Sequence, residues 1–133
     1  MIPKFRAWDV LAEKMIDEIL MISFVRKEII GKFRNGSTSV PLKFEDERNG
    51  EDVILMQSTD MVDGNGNVIF EGDIVKMAKG VYSEPTYYEV VRHRGGAYRL
   101  ESNQHGCELW LRHTNCEVIG NIYENQELLE EKQ

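Results

Sequence analysis

The sequence predicts a mostly-β (α+β) chain: a small antiparallel SH3-like barrel-type core, an N-terminal β-hairpin region and a short C-terminal helix. Three observations carry this. Asn-Gly occurs at 35–36, 49–50 and 65–66, a dipeptide that favours hairpin turns because both residues tolerate positive φ. Short segments rich in β-branched and aromatic residues recur along the chain with polar breaks between them. The clearest helical pattern is confined to the last residues, "NQELLEEKQ". The 133 residues are read as one domain, with a hairpin region over 1–52, the barrel-like core over 53–123 and the helical tail over 124–133.

Taken in order, "LAEKMIDEILMISFV" (11–25) is ambiguous. Met15, Ile16, Ile19 and Leu20 fit a helical stripe, but the β-branched content and flanking strands favour strand, and strand is the reading adopted. "EIIGKFR" and "STSVPLKF" flank the first Asn-Gly, and Pro41, lacking an N–H, marks the second as an edge strand. "ILMQSTDMV" and "VIFEGDIVKM" flank the third. Apolar alternation fails across Glu71-Gly72, since Ile69 and Phe70 on one side and Ile74 and Val75 on the other change parity. Gly72 is therefore expected to mark a bulge or sharp bend. "TYYEVVRH", "GAYRLES", "GCELWLRH" and "CEVIGNIY" follow as strands. Alternation in the third places Cys107, Leu109 and Leu111 on one face, and Glu108, Trp110 and Arg112 on the other. In the tail, Asn125 is the expected cap, Glu127 and Glu130 favour the helix start, and Leu128 and Leu129 face inward.

The net charge of −7 is spread evenly, with 9 basic and 12 acidic residues over 1–66 and 7 and 11 over 67–133. Neither half is basic, which disfavours nucleic-acid binding of the usual electrostatic kind. The one basic strip is "RHRGGAYR", with Arg92, His93, Arg94 and Arg99, which reads as an exposed hairpin. Apolar runs such as "ILMI" (19–22) fall far short of a membrane span, and "MIPKFRAWD" carries no secretory signal, so a cytoplasmic setting is expected. Two cysteines make no disulfide framework, and the sequon at Asn35 is then a chance match.

"DMVDGNGNVIFEGDIVKM" (60–77) invites a calcium or phosphate reading. Counted from Asp63 as an EF-hand loop, positions 3 and 5 are Asn65 and Asn67, but position 6 is Val68 and position 12 is Ile74. The bend glycine and the bidentate acid are both missing. Gly64 and Gly66 lack the third glycine of a dinucleotide loop, and Asp63, Glu71 and Asp73 would repel a phosphate. A turn is the better reading. His105, Cys107, His113 and Cys116 form H-x-C-x5-H-x2-C, which supplies zinc-type ligands at a spacing that matches no common zinc module. Cys107 beside His105 lacks the surroundings of a catalytic nucleophile. Glu71 and Asp73 read as solvated carboxylates on one strand. Trp8, Tyr82, Tyr87, Tyr88, Tyr98, Trp110 and Tyr123 read mainly as core, with one of Tyr87 and Tyr88 facing outward. No catalytic, cofactor-binding or metal residue is assigned.

"KFRAWD" (4–9), "LMQST" (55–59), "DGNGNVIFEGDIVKM" (63–77), "YYEVV" (87–91) and "EVIGNIYENQELL" (117–129), in that order, resemble the YopX-like family of phage and prophage proteins. The resemblance implies a phage or prophage gene product in a bacterial cytoplasm, a mostly-β fold and self-association, and it implies no activity. Two departures stand out. Thr59-Asp60-Met61 replaces the family's Thr-Gly-Leu, so no positive φ is expected there. Asn125-Gln126 replaces Asn-Pro, removing a favoured proline at the helix start.

The expected function is a non-enzymatic, protein-binding module with itself as one partner, its sheet edges "TYYEVV" and "CEVIGNIY" lacking protective charge. The alternatives are nucleic-acid binding through the Arg92–Arg99 hairpin and a small metal-dependent hydrolase around His105 and Cys107.

Overall fold

The computed structural model describes residues 4–16, 18–46, 51–77, 85–93, 96–102 and 106–130. The chain is mostly β, antiparallel throughout its pairings, with a short C-terminal helix. It divides into two compact units, Met1–Gln57 and Ser58–Gln133.

In the first unit, β1 (Phe5–Asp9) lies between β2 (Lys14–Ile16) and the first half of β6 (Val53–Val62). A second sheet runs β3 (Glu18–Ser23), β4 (Glu28–Lys32), β5 (Leu42–Lys43). The ambiguous 11–25 segment thus supplies two strands, β2 and β3, because backbone pairing with β1 and β4 overrides its weak helical stripe. Pro41 directly precedes β5, an edge strand of its sheet. Ala7, Ile16, Ile29, Phe44 and Val53 form the core, and a Cβ at Gly31 would collide with the Ile16 side chain. The four-residue loops after β1 and β3 close on left-handed residues, Glu13 at φ 54° and Lys27 at φ 55°.

In the second unit, the rest of β6 pairs with β7 (Val68–Phe70). A curled five-stranded sheet runs β11 (Gly106–Glu108), β10 (Tyr98–Glu101), β9 (Thr86–Arg92), β8 (Asp73–Met77), β12 (Glu117–Asn121). Ile69, Val75, Tyr88, Val90, Leu100, Leu109 and Cys116 fill its core. Glu71-Gly72 forms the corner between β7 and β8, with Gly72 at φ 87°. The Gly72 N–H donates to Val90 O at 2.9 Å, and its carbonyl accepts from the Ile122 N–H at 2.9 Å. The expected bend is there.

Several expectations need correction. "TYYEVV" is not an edge: as β9 it lies between β8 and β10, while β12 does lie at an edge. "CELWLRH" is not one strand, because α1 (Leu109–Arg112) and a 3₁₀ turn (His113–Asn115) follow β11. Pairing runs Arg99↔Glu108, and β10 begins one residue earlier at Tyr98, so the partner strand ends and the chain closes its own hydrogen bonds instead. Leu109 is buried, and Trp110, Leu111 and Arg112 are exposed.

The Asn-Gly turns also differ from the expected two-residue form. Phe33–Ser37, Asp63–Asn67 and His93–Ala97 close alike, the first residue's N–H reaching the fifth's carbonyl at 2.8, 2.9 and 2.8 Å. The fourth residue of each is left-handed, Gly36 at φ 91°, Gly66 at 85° and Gly96 at 89°, and in the two Asn-Gly turns it is the only such residue. The two Asn-Gly turns are thus three-residue loops with a glycine bulge. Asn35 keeps negative φ and accepts from the Ser37 N–H through Oδ1 at 3.0 Å. Asn49-Gly50 lies outside the described residues.

Asp60 is left-handed at φ 63°, contrary to the expectation drawn from its replacing a glycine. Asp tolerates this conformation better than most residues, and the β6–β7 register shift between Ser58 and Val62 demands it. Asn125 lies just before α2 (Glu127–Glu130), but its Oδ1 accepts from the Asn121 N–H at 3.2 Å. Its side chain packs against Gly120, where a Cβ would not fit. Leu128 and Leu129 are half-buried.

Candidate functional site

The polar stretch at 63–67 is tied down by one carboxylate. Asp63 is buried; its Oδ1 accepts from the Asn65 and Asn67 N–H groups at 2.9 and 2.8 Å. Its Oδ2 accepts from the Val118 N–H at 2.8 Å and from Asn67 Nδ2 at 3.5 Å. Burial pushes the carboxyl up, but the Val118, Asn67 and Asn65 N–H groups together outweigh it and hold it below the ordinary carboxylate value. Gly64 completes the attachment: its N–H donates to Cys116 O at 2.9 Å, and a Cβ there would stand 2.7 Å from Thr114 O. The glycines and asparagines thus fasten the turn to β12 and the segment before it.

The nearby carboxylates divide. Glu71 is half-buried at the corner, whereas Asp73 is buried rather than solvated, its Oδ2 accepting from the Phe70 N–H at 2.7 Å. Strand alternation misled here, because the corner turns the Asp73 carboxylate back onto its own preceding backbone.

Of the four soft ligands, His105 lies outside the described residues. His113 Nδ1 donates to Val62 O at 2.8 Å, a partner 51 residues away. The Cys116 thiol is buried, donates to Arg112 O at 3.2 Å, and is pushed up to about 11 by burial, then by the charges of Cys107 and Asp63. Cys107 is half-buried against the same core and raised mainly by burial, with Arg112 and Arg99 pulling the other way. Both thiols stay protonated at neutral pH, the unreactive form. Among the described residues no three His, Cys, Asp or Glu side chains form a group able to hold a metal.

The hairpin carrying Arg92 and Arg99 is present, and two of its basic side chains face acids. His93 Nε2 lies 2.7 Å from Glu101 Oε1, and Arg99 bridges Glu101 at 3.8 Å and Glu108 at 2.5 Å. Arg94 lies outside the described residues. Glu89 stands directly across from Glu101 in the β9–β10 register, and burial, then the Glu101 charge, raises its pKa.

Of the aromatic set, Trp8 and Tyr88 are buried, and Tyr87, Tyr98 and Tyr123 are half-buried. Tyr82 lies outside the described residues. Trp110 is 63% exposed.

The sequence reading passed over a surface in the first unit. On β3 and the loop after it, Leu20, Met21, Phe24 and Val25 are exposed, Val25 at 96%. The loop is held in shape: the Arg26 N–H donates to Ser23 Oγ at 3.1 Å, and Lys27 O accepts from the Phe44 N–H at 2.9 Å. The Phe24 ring meets Phe5 and Phe44 edge-on at 6.0 and 6.2 Å. Beside it opens a groove of about 670 Å³. The loop supplies Val25, Arg26 and Lys27, β5 supplies Lys43, and Phe44 leads into acidic Glu45, Asp46 and Glu51. Lys27 Nζ and Glu45 Oε2 are 3.1 Å apart, each on a left-handed residue. The available signal was the run "FVRK", apolar and basic residues in a loop that strand alternation does not explain.

Comparison with known proteins places these features in context. No curated protein matches the chain. Among solved structures, protein EF1440 from Enterococcus faecalis is 29% identical, with a TM-score of 0.64 over 97% of this chain and 99% of that one. Protein yopX from Bacillus subtilis has a TM-score of 0.63 over 94% of this chain and 96% of that one, and at 24% identity it shows likeness of fold alone. The family described as YopX protein matches residues 4–130, a span that contains every strand and helix above. The chain belongs to the YopX family.

Proposed function

We propose that the protein is a non-enzymatic accessory protein of a phage or prophage, acting in a bacterial cytoplasm by binding protein, with a second copy of itself as one partner. The observation that carries this reading is the exposed apolar group on the β3–β4 hairpin: Leu20, Met21, Phe24 and Val25. Apolar side chains gathered on one exposed element are a common mark of a protein interface. The reactive groups weigh against chemistry: Cys107 and Cys116 are raised thiols, and His113 and Asp63 are engaged by the backbone. Nucleic-acid binding loses support because Arg99 and His93 are matched by Glu101 and Glu108. No helix among the described residues is long and apolar enough to cross a membrane.

Light scattering on purified protein at micromolar concentration tests the reading. A mass at least twice the 15.4 kDa of one chain is expected. A persistent monomer would remove self-association from the proposal, and DNA or RNA binding at low salt that weakens steeply with added salt would replace it.

A further inference from the structure

We propose that two copies pair across the groove beside the β3–β4 loop in a two-fold contact. Arg26 and Lys43 of each copy meet Asp46 and Glu51 of the other, with Val25 and Phe24 at the centre. The inference rests on the self-association proposed above and names its surface. Three observations lead to it.

The first is the composition of the loop. Val25 and Phe24 are 96% and 61% exposed at a hairpin tip, where polar residues are usual. Burying such side chains gains roughly 25 cal/mol per Å² of apolar area, and a second copy supplies apolar surface of the same kind.

The second is rigidity. The Ser23, Lys27 and Phe44 hydrogen bonds and the two edge-on ring contacts hold the tip in one shape. A preorganised loop loses little conformational freedom on docking, so more of its contact energy appears as affinity.

The third is charge. Lys27 and Glu45 pair within the chain, while Arg26 and Lys43 share the groove with Asp46 and Glu51, which makes the surface electrically self-complementary. A two-fold axis sets each basic segment against its opposite, the condition an isologous interface must meet. The net charge of −7 on each chain opposes most other approaches of two copies. This groove is a place where attraction can offset that repulsion.

The test uses the full chain, with circular dichroism confirming that each variant keeps its β fold. One variant carries Arg26→Glu and Lys43→Glu, a second carries Asp46→Lys and Glu51→Lys, and a third carries Val25→Asp. Each alone is expected to weaken self-association at least tenfold and to scatter as the 15.4 kDa monomer. An equimolar mixture of the two charge-reversed variants restores both attractive contacts and should return to the dimer mass. Monomeric wild-type protein would sink both this surface and the self-association it rests on. A wild-type oligomer unaffected by all three variants would overturn the groove alone and leave self-association standing. Monomeric reversed variants that fail to recombine would overturn the charge-matched two-fold contact.

Discussion

Gly66 and Asp60 hold the same left-handed backbone, at φ 85° and 63°, and only Gly66 is the residue that conformation favours. A Cβ on Gly66 would meet nothing within 4 Å, so any penalty for Gly66→Val is purely conformational. A loss of about 1–3 kcal/mol in denaturant unfolding is expected. Asp60→Gly relieves strain that aspartate tolerates only partly, and should stabilise by up to about 1 kcal/mol in the same assay. Asp63→Asn places an NH₂ donor among N–H donors and should cost about 1–3 kcal/mol. Because the Asp63 pKa is depressed on folding, its ionised form stabilises the fold above the ordinary carboxylate value, and that contribution is lost as pH falls through the folded value. The gap between Asp63→Asn and wild type should therefore narrow in melts below about pH 4. Calcium should leave the melting temperature unchanged, since both Asp63 oxygens already accept protein hydrogen bonds.

At the scale of elements, β9 and β10 carry a conflict that their strand pattern does not reveal. Glu89 and Glu101 are directly paired, and like charges at such positions destabilise a sheet. Glu101 is met by His93 and Arg99, while burial and Glu101 raise the Glu89 pKa. A carboxyl raised on folding favours the native state when protonated, and that advantage is lost as pH rises through its folded value. Glu89→Gln should melt higher than wild type at pH 7, with the difference disappearing as the solution is acidified. A variant that melts lower at pH 7 would show that the Glu89 charge is compensated. The strands themselves were legible in the sequence because β-branched and aromatic runs between polar breaks report directly on a half-buried sheet. The turn from β11 into α1 was not, because "CELWLRH" alternates well enough for a strand. Only the end of β10 at Tyr98 denies it a partner.

For the whole molecule, the self-association proposed above has a thermodynamic signature. If folding is linked to pairing of copies, the melting temperature should rise with protein concentration between about 1 and 100 μM. Val25→Asp should remove that dependence while changing the dilute-limit melting temperature little, because Val25 is almost wholly exposed. Scanning calorimetry across that range checks both. A melting temperature independent of concentration in the wild type would speak against coupled assembly.

The sequence by itself determined the fold class, the family resemblance, the bend at Gly72 and the hairpins at 33–37 and 63–67. These features rest on backbone preferences and local alternation, which act over a few residues and are written in consecutive positions. It also showed that the polar stretch at 60–77 lacked the spacing of a calcium loop. What that stretch does instead was decided by tertiary structure, because the Asp63 carboxylate binds the Val118 N–H from 55 positions away. The same holds for β9, which lies inside its sheet because β8 and β10 flank it, a fact of pairing that its own residues do not encode. The groove beside Val25 likewise joins a loop at 24–27 to acids at 45, 46 and 51, and charges so far apart in the chain become one surface only when β4 and β5 pair.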